Sequence, residues 1–332
     1  MIRYITGRVL GMVVVLFLVT LFTYAIFFLL SPDPAAQICG KNCTPELIDQ
    51  IRTNLGLDQP FWTQFFTYVG GLFTGRTFVV AGAPVDCAAP CLGYSFQTSQ
   101  LVGDMIVQRL PISVTIALGA AVLWVLAGLV TGVLSAAKEG AFVDRFFAGL
   151  TLTAMSIPNY VLALVLQFVL VVALGWLPFP QAVSFTDDPG RWFLNFLMPW
   201  VVLAAGYAAT YTRLTRANVI ETLQENFVRT ARAKGLAPSL VWRRHALRPA
   251  LTPIVTIFGL DLAGLLGGAL ITEKVFGLNG VGKLTADSIA ANDQPVIMAV
   301  TLLSAVFVIV GILVVDLLYS VIDPRVRTGG AQ

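Results

Sequence analysis

The sequence predicts an all-α membrane protein with six transmembrane helices and both termini on the cytoplasmic side. Three observations predict it. Of the 332 residues 57% are hydrophobic and 12% charged, with a mean hydropathy of +0.82, against roughly a quarter charged in soluble domains. Six segments, at about 9–30, 112–136, 146–174, 196–214, 250–272 and 297–320, approach or exceed the ~20 apolar residues that a helix needs to cross a bilayer. The cations are also asymmetric. With both termini inside, 14 of the 21 Lys and Arg residues fall on the cytoplasmic side, among them Arg3, Arg8, Lys138, Arg145, Arg325 and Arg327, and seven fall outside, as positive charge distributes across membranes.

Residues 1–30 form the N-terminal segment and first span. The apolar run is too long for the core of a signal peptide and no A-x-A site follows it closely, so a retained helix is expected. Residues 31–111 then make an external subdomain holding all four cysteines, Cys39, Cys43, Cys87 and Cys91, as two C-x-x-x-C pairs. Outside the cytoplasm thiols meet an oxidising compartment, so two disulfides in one of three connectivities are expected. A four-thiolate zinc site is the competing reading. In PELIDQIRTNLGLDQPFWTQFFTYVGGLFTG, Thr44 and Pro45 open a helix, Gly56 turns the chain, and a second amphipathic stretch follows.

Residues 112–327 make a five-helix core. Pro158, with Asn159 and Tyr160, interrupts the third span near its middle and leaves backbone groups in need of partners. Asn159 and Tyr160 either line a translocation path or pack against neighbouring helices, and Gln167, Tyr207 and Tyr211 are further candidates. Asp261 lies well inside the fifth span, where a carboxylate costs about 2.5–3.5 kcal/mol on insertion scales. It therefore needs a hydrogen-bonding partner on another helix or a watery path.

Within that core the loop 215–249 stands out by charge. The run VRTARAKGLAPSLVWRRHALR at 228–248, with Arg213 and Arg216, holds eight of the 21 cations. Helix formers extend from Glu221 to Lys234 with acids early and bases late, as a helix dipole favours. Gly235 stops that helix, and Pro238 and Ser239 open a second short one to about Leu247. The pattern fits an ordinary cytoplasmic loop, and it fits a docking element of two short helices about a glycine turn.

Several functions are excluded. In GLNGVGKL (277–284), Gly277, Gly282 and Lys283 match a phosphate-binding loop, but Leu284 stands where a Ser or Thr must hold magnesium, and the run lies outside by charge. His245 is the one histidine and has no second ligand near it, so no metal is expected. No HExxH or GxSxG motif is present, so no catalytic residue is expected. The net charge of +3 comes with no soluble basic domain that could read nucleic acid.

The run TARAKGL at 230–236, followed by RHALRPAL at 244–251, resembles the cytoplasmic coupling loop of inner-membrane permeases of binding-protein-dependent ABC importers, in the oligopeptide and dipeptide (peptide/nickel) branch. Ala231 and Gly235 fall on family positions, whereas Arg229 and Thr230 stand where the wider family carries Glu and Ala. LGLDQP (55–60), RLPISVTIAL (109–118), SIPNYVLAL (156–164), GWLP (175–178), TEKVFGLNGVGKL (272–284) and VDLLYSVIDPRVR (315–327) also look like stretches of this family, so the similarity covers nearly the whole chain.

The resemblance implies a type I ABC importer permease architecture in the inner membrane of a bacterium, surrounded by lipid. It implies one half of a translocation pore, paired with a second homologous permease. Two cytoplasmic ATPase subunits would carry ATP and Mg, this chain binding no cofactor itself, and an extracytoplasmic substrate-binding protein would deliver a peptide or similar small solute. The coupling residues would be Arg229, Thr230, Ala231, Arg232, Ala233, Lys234, Gly235, Leu236, Arg244 and His245. A self-sufficient secondary transporter, coupled to ions through Asp261, is the alternative, although the repeated halves common in such transporters are not visible.

Overall fold

A computed structural model gives the architecture and describes residues 2–30, 35, 44–54, 56–80, 83–181, 183 and 185–322. These divide into two compact units, one from the first 111 residues with 280–309, the other from 112–279 with the residues after 309.

In the first unit, α1 (Ile2–Leu30) runs beside α3 (Phe61–Thr74). Phe17 meets Phe65 edge-on at 5.7 Å, Tyr24 meets Phe61 at 5.7 Å, and the Tyr24 hydroxyl donates to Gln64 Oε1 at 3.2 Å. The helix α2 (Pro45–Asn54) begins at Thr44, whose carbonyl accepts from the Ile48 amide. Gly56 turns the chain at a φ of +66°, a left-handed conformation that costs a glycine little. Two short antiparallel pairs depart from the all-helical expectation. β1 (Arg76–Val80) pairs with β2 (Ala83–Cys87), and β3 (Tyr94–Ser95) with β4 (Gln100–Leu101). The β-branched and aromatic run Thr77–Val80 explains the first. Cys87 and Cys91 form a disulfide, which fixes that pairing and removes both sulfurs from the four-thiolate zinc alternative. Cys39 and Cys43 lie outside the described residues. The start of α4 (Val102–Ala137) and α11 (Val281–Ala290) bury Val102, Met105, Ile106, Val281 and Leu284 with Val296 and Ala299 of α12 (Gln294–Ile322). Leu284 is thus a core side chain at the position where a phosphate-binding loop needs a hydroxyl.

The second unit is a helical core. Beyond α4 come α5 (Phe142–Ser156), α6 (Asn159–Ala173), α7 (Pro189–Gln224), α8 (Asn226–Ala233), α9 (Pro238–Leu266) and α10 (Leu270–Val275). Among the described residues four helices, α4, α7, α9 and the Gln294–Val315 part of α12, are long and apolar enough to cross a membrane, and α1 carries a shorter apolar stretch, Leu10–Ile26. The segment expected as one span at 146–174 is instead a bent pair, α5 and α6 meeting at 95°. Pro158 has no amide to continue the ladder and disfavours helix at the residue before it, and Ile157 is accordingly extended at ψ 119°.

Small residues bring α4 against α7. A side-chain carbon at Gly128 would meet the Ala208 carbonyl at 3.3 Å, and one at Gly132 would meet the Thr212 carbonyl at 2.8 Å. These glycines, four apart, let the backbones touch as in membrane helix pairs generally, and the Thr131 and Thr212 hydroxyls bond at 2.7 Å across the contact. Leu118, Val122, Leu126, Val130 and Leu134 recur every fourth residue on α4 and are exposed, while Ala117, Ala120, Ala121 and Trp124 are buried. An apolar face turned away from the core is what a bilayer accepts.

Candidate functional site

The basic loop is built between α7 and α9. At Glu225 the backbone leaves the helical region (ψ 146°), so the helix expected from Glu221 is broken here: Glu221 lies in α7, Glu225 is the break, and only Asn226–Ala233 forms α8. Val228 and Ala231, three apart, face inward and are buried with Val241 against Leu223. That leaves Arg229, Thr230, Arg232, Ala233, Lys234 and Leu236 exposed.

The turn after α8 has a definite geometry. The Gly235 amide donates to the Arg232 carbonyl at 2.9 Å and the Leu236 amide to the Ala231 carbonyl at 3.4 Å, with Gly235 at φ +74°. Paired bonds around a left-handed residue satisfy the last carbonyls of a helix. Ala237 is extended, and Pro238 opens α9 at its first turn, where a missing amide costs nothing. The second short helix does not end at Leu247. Val241–Leu247 is π-helical and passes directly into Arg248–Leu266.

The loop is anchored as well as exposed. Trp242 and Leu247 pack with Ala136 of α4, Val219 and Ile220 of α7 and Ala250 of α9, so the loop is joined by side chains to the ends of three long helices. Its free face combines Phe227, Leu236 and Leu240, 46%, 37% and 41% exposed, with Arg229, Arg232, Lys234, Arg243 and Arg244; His245 is half-buried. An apolar strip set among cations suits a protein partner carrying a hydrophobic groove with acidic edges.

Arg216, counted above only as one of the loop's charges, has a structural task. Its guanidinium bonds both carboxylate oxygens of buried Asp144, at 2.6 and 2.8 Å. Ser135 Oγ and the Gly140 amide donate to the same carboxylate. This clamp fastens α7 to α5 beside the loop. Sequence reasoning missed it because the partners are 72 residues apart; an acid two residues before an apolar helix segment was the available signal.

Of the expected path residues, the structure brings Tyr211 and Asp261 together: the phenol donates to Asp261 Oδ2 at 2.8 Å. Tyr211 is buried, and Tyr207 stacks on buried Trp124 at 4.6 Å. Asn159 is half-buried with its side-chain oxygen near Gly206 of α7. Tyr160 is half-exposed and Gln167 partly buried. Among the described residues no hydrogen bond joins these three to the Tyr211–Asp261 pair, and no group of three or more His, Cys, Asp or Glu side chains could hold a metal.

Comparison with known proteins bears on the whole chain. The family described as binding-protein-dependent transport system inner membrane component matches residues 128–328, and its N-terminal region matches residues 1–117. A probable peptide ABC transporter permease protein, y4tP, of Sinorhizobium fredii is 34% identical over 325 residues, 98% of this chain and 99% of that protein. The glutathione transport system permease protein GsiC of Escherichia coli (strain K12) is 34% identical over 327 residues, again 98% and 99%. Among solved structures, the MetNI methionine ABC transporter in an inward-facing conformation aligns with a TM-score of 0.51 at 18% identity, covering 66% of this chain and 96% of that one. The fold is shared with it.

Proposed function

Because the chain belongs to the binding-protein-dependent transport system inner membrane component family, we propose that it forms half of the pore of an ATP-driven importer for peptides. It is a multi-pass permease subunit of an ABC importer in the bacterial inner membrane, and the ATPase is a separate subunit. In the arrangement proposed, six spans with both termini inside pair with a second homologous permease, two ATPase subunits bind ATP and Mg, and a substrate-binding protein delivers cargo from outside. Small peptides are the cargo class, supported by relatives named for peptide and glutathione transport that align from end to end.

The loop 215–249 is the contact with the ATPase. One observation supports this: its exposed apolar and cationic face continues into α9, whose Trp242 and Leu247 pack on the ends of α4 and α7. A partner that moves this face moves the ends of all three helices, because packed helices shift as bodies rather than deform. Arg229, Thr230, Arg232, Lys234, Leu236 and Arg244 supply the contact surface, Ala231 holds α8 down, and Gly235 sets the turn.

The ion-coupled alternative finds no support in the relatives. Reconstituting the chain with its partner permease, ATPases and binding protein tests the reading. ATP-dependent uptake of a radiolabelled dipeptide is expected, and uptake driven by an ion gradient through this chain alone would overturn it.

A further inference from the structure

We propose that Asp261 is a recognition point for the ammonium group of the cargo as it crosses the membrane, an inference that rests on the peptide reading above. Asp261 lies 12 residues beyond Pro249 on α9, about 18 Å of helix from the end of the loop, and Tyr211 faces it from α7. At that depth a carboxylate is retained where it has a partner or a task.

The partner present is neutral. Tyr211 donates to Oδ2, and among the described residues no Lys, Arg or His pairs with Asp261. The second oxygen, Oδ1, is left to accept from an incoming N–H group. Beside the carboxylate stand two tyrosines of an aromatic cluster. Tyr207, close enough to interact with Asp261 electrostatically, stacks on Trp124, and Phe258 and Tyr211 lie 6.1 and 6.2 Å from the same indole. Aromatic faces attract cations, most strongly out of water. An ammonium ion is therefore the ligand this corner fits, and an anionic group is repelled by it.

On α9, Gly259 and Ala263 approach Val315 and Gly311 of α12. At 100° per residue, Asp261 points to nearly the opposite side of α9, toward α7, and both Asp261 and Tyr207 keep part of their surface open. The corner also bridges the two helices that the basic loop connects, so cargo seated there touches both arms of that lever.

The test uses the assembled complex in proteoliposomes. Asp261→Asn is expected to leave insertion and subunit assembly intact while raising the KM for dipeptide uptake at least tenfold with kcat little changed, and Asp261→Glu to restore KM to within threefold. A second measurement needs no variant. Labelling of Asp261 by dicyclohexylcarbodiimide, read by mass spectrometry, should slow at least threefold in alanyl-alanine amide, a cation, and not in its neutral N-acetyl form. Unchanged KM in Asp261→Asn, equal protection by both amides, or an Asp261 sealed from the reagent by the second permease would each overturn the proposal. In all three cases wild-type ATP-driven uptake persists, whereas failure of the import reading removes it.

Discussion

Arg216 closes on Asp144 through two parallel hydrogen bonds, Nε to Oδ1 at 2.6 Å and Nη2 to Oδ2 at 2.8 Å, joining α7 to the first turn of α5. Asp144 is buried and the Arg216 side chain is 34% exposed. Breaking a fully buried pair costs 3–5 kcal/mol, and solvent at the guanidinium reduces this. Asp144→Asn should destabilise the purified protein by about 2 kcal/mol, seen as a lower Tm. A double-mutant cycle with Arg216→Met should give a coupling energy of about 1 kcal/mol or more; additive losses would mean that the two side chains act separately.

The contact between α4 and α7 depends on backbone approach. A methyl group at Gly132 would stand 2.8 Å from the Thr212 carbonyl, and a carbonyl in a helix cannot rotate away. Gly132→Ala should lower Tm by several degrees, in line with 1–3 kcal/mol for overpacking. Gly264→Ala, which meets nothing within 4 Å, should leave it unchanged. Equal Tm values for the two variants would show that the helices separate freely here.

In the first unit the carboxyl of Asp293 is buried beside Ser95. Burial pushes it above the usual carboxylate range, while the Ser95 hydroxyl and the Val296 amide partly oppose that. A raised value means that the folded unit favours the neutral acid, so the contribution is complete below the ordinary carboxylate range and fades as pH rises through the folded value. Wild type should therefore lose part of its stability between acid and neutral pH, and Asp293→Asn should flatten that loss. A steeper loss in the Asn variant would place the dependence elsewhere.

Gly235 adopts φ +74° with nothing within 4 Å of where a side chain would begin. The obstacle to replacement is the backbone alone, about 1–2 kcal/mol for an L-residue in this region. Gly235→Val should leave membrane insertion intact and reduce both transport and cargo-stimulated ATP hydrolysis of the assembled complex, whereas Gly235→Asn, which tolerates this conformation, should retain more of both. Full ATPase stimulation in Gly235→Val would count against a coupling role for the turn.

Apolar length made α4, α7, α9 and α12 legible in the sequence, because a bilayer demands some 20 apolar residues and little else. Pro158, Gly56 and Gly235 marked their breaks and turns through backbone rules that act locally. Where helices run past the membrane apolar length no longer marks them: α7 continues from 214 to 224 with only Val219, Ile220 and Leu223 on its packed face, too few to read as a span. The 95° angle between α5 and α6 was not legible either, since a proline marks a break and tertiary packing sets its angle. Within the candidate site, Asp261 was conspicuous by its depth, but its partner Tyr211 comes from a different helix, 50 residues away, as does Arg216 for Asp144. The small-residue pair Gly128 and Gly132 carried a readable signal for helix contact whose partner only the fold supplies.

The claim on which the rest depends is that the free face of the basic loop seats an ATPase subunit. A photo-crosslinking residue in place of exposed Leu236, in the assembled complex, tests it directly. Illumination should give a covalent adduct with the mass of this chain plus one ATPase subunit, in a yield that changes between the nucleotide-free and ATP-trapped states. Absence of that adduct while the ATPase still co-purifies would contradict the account.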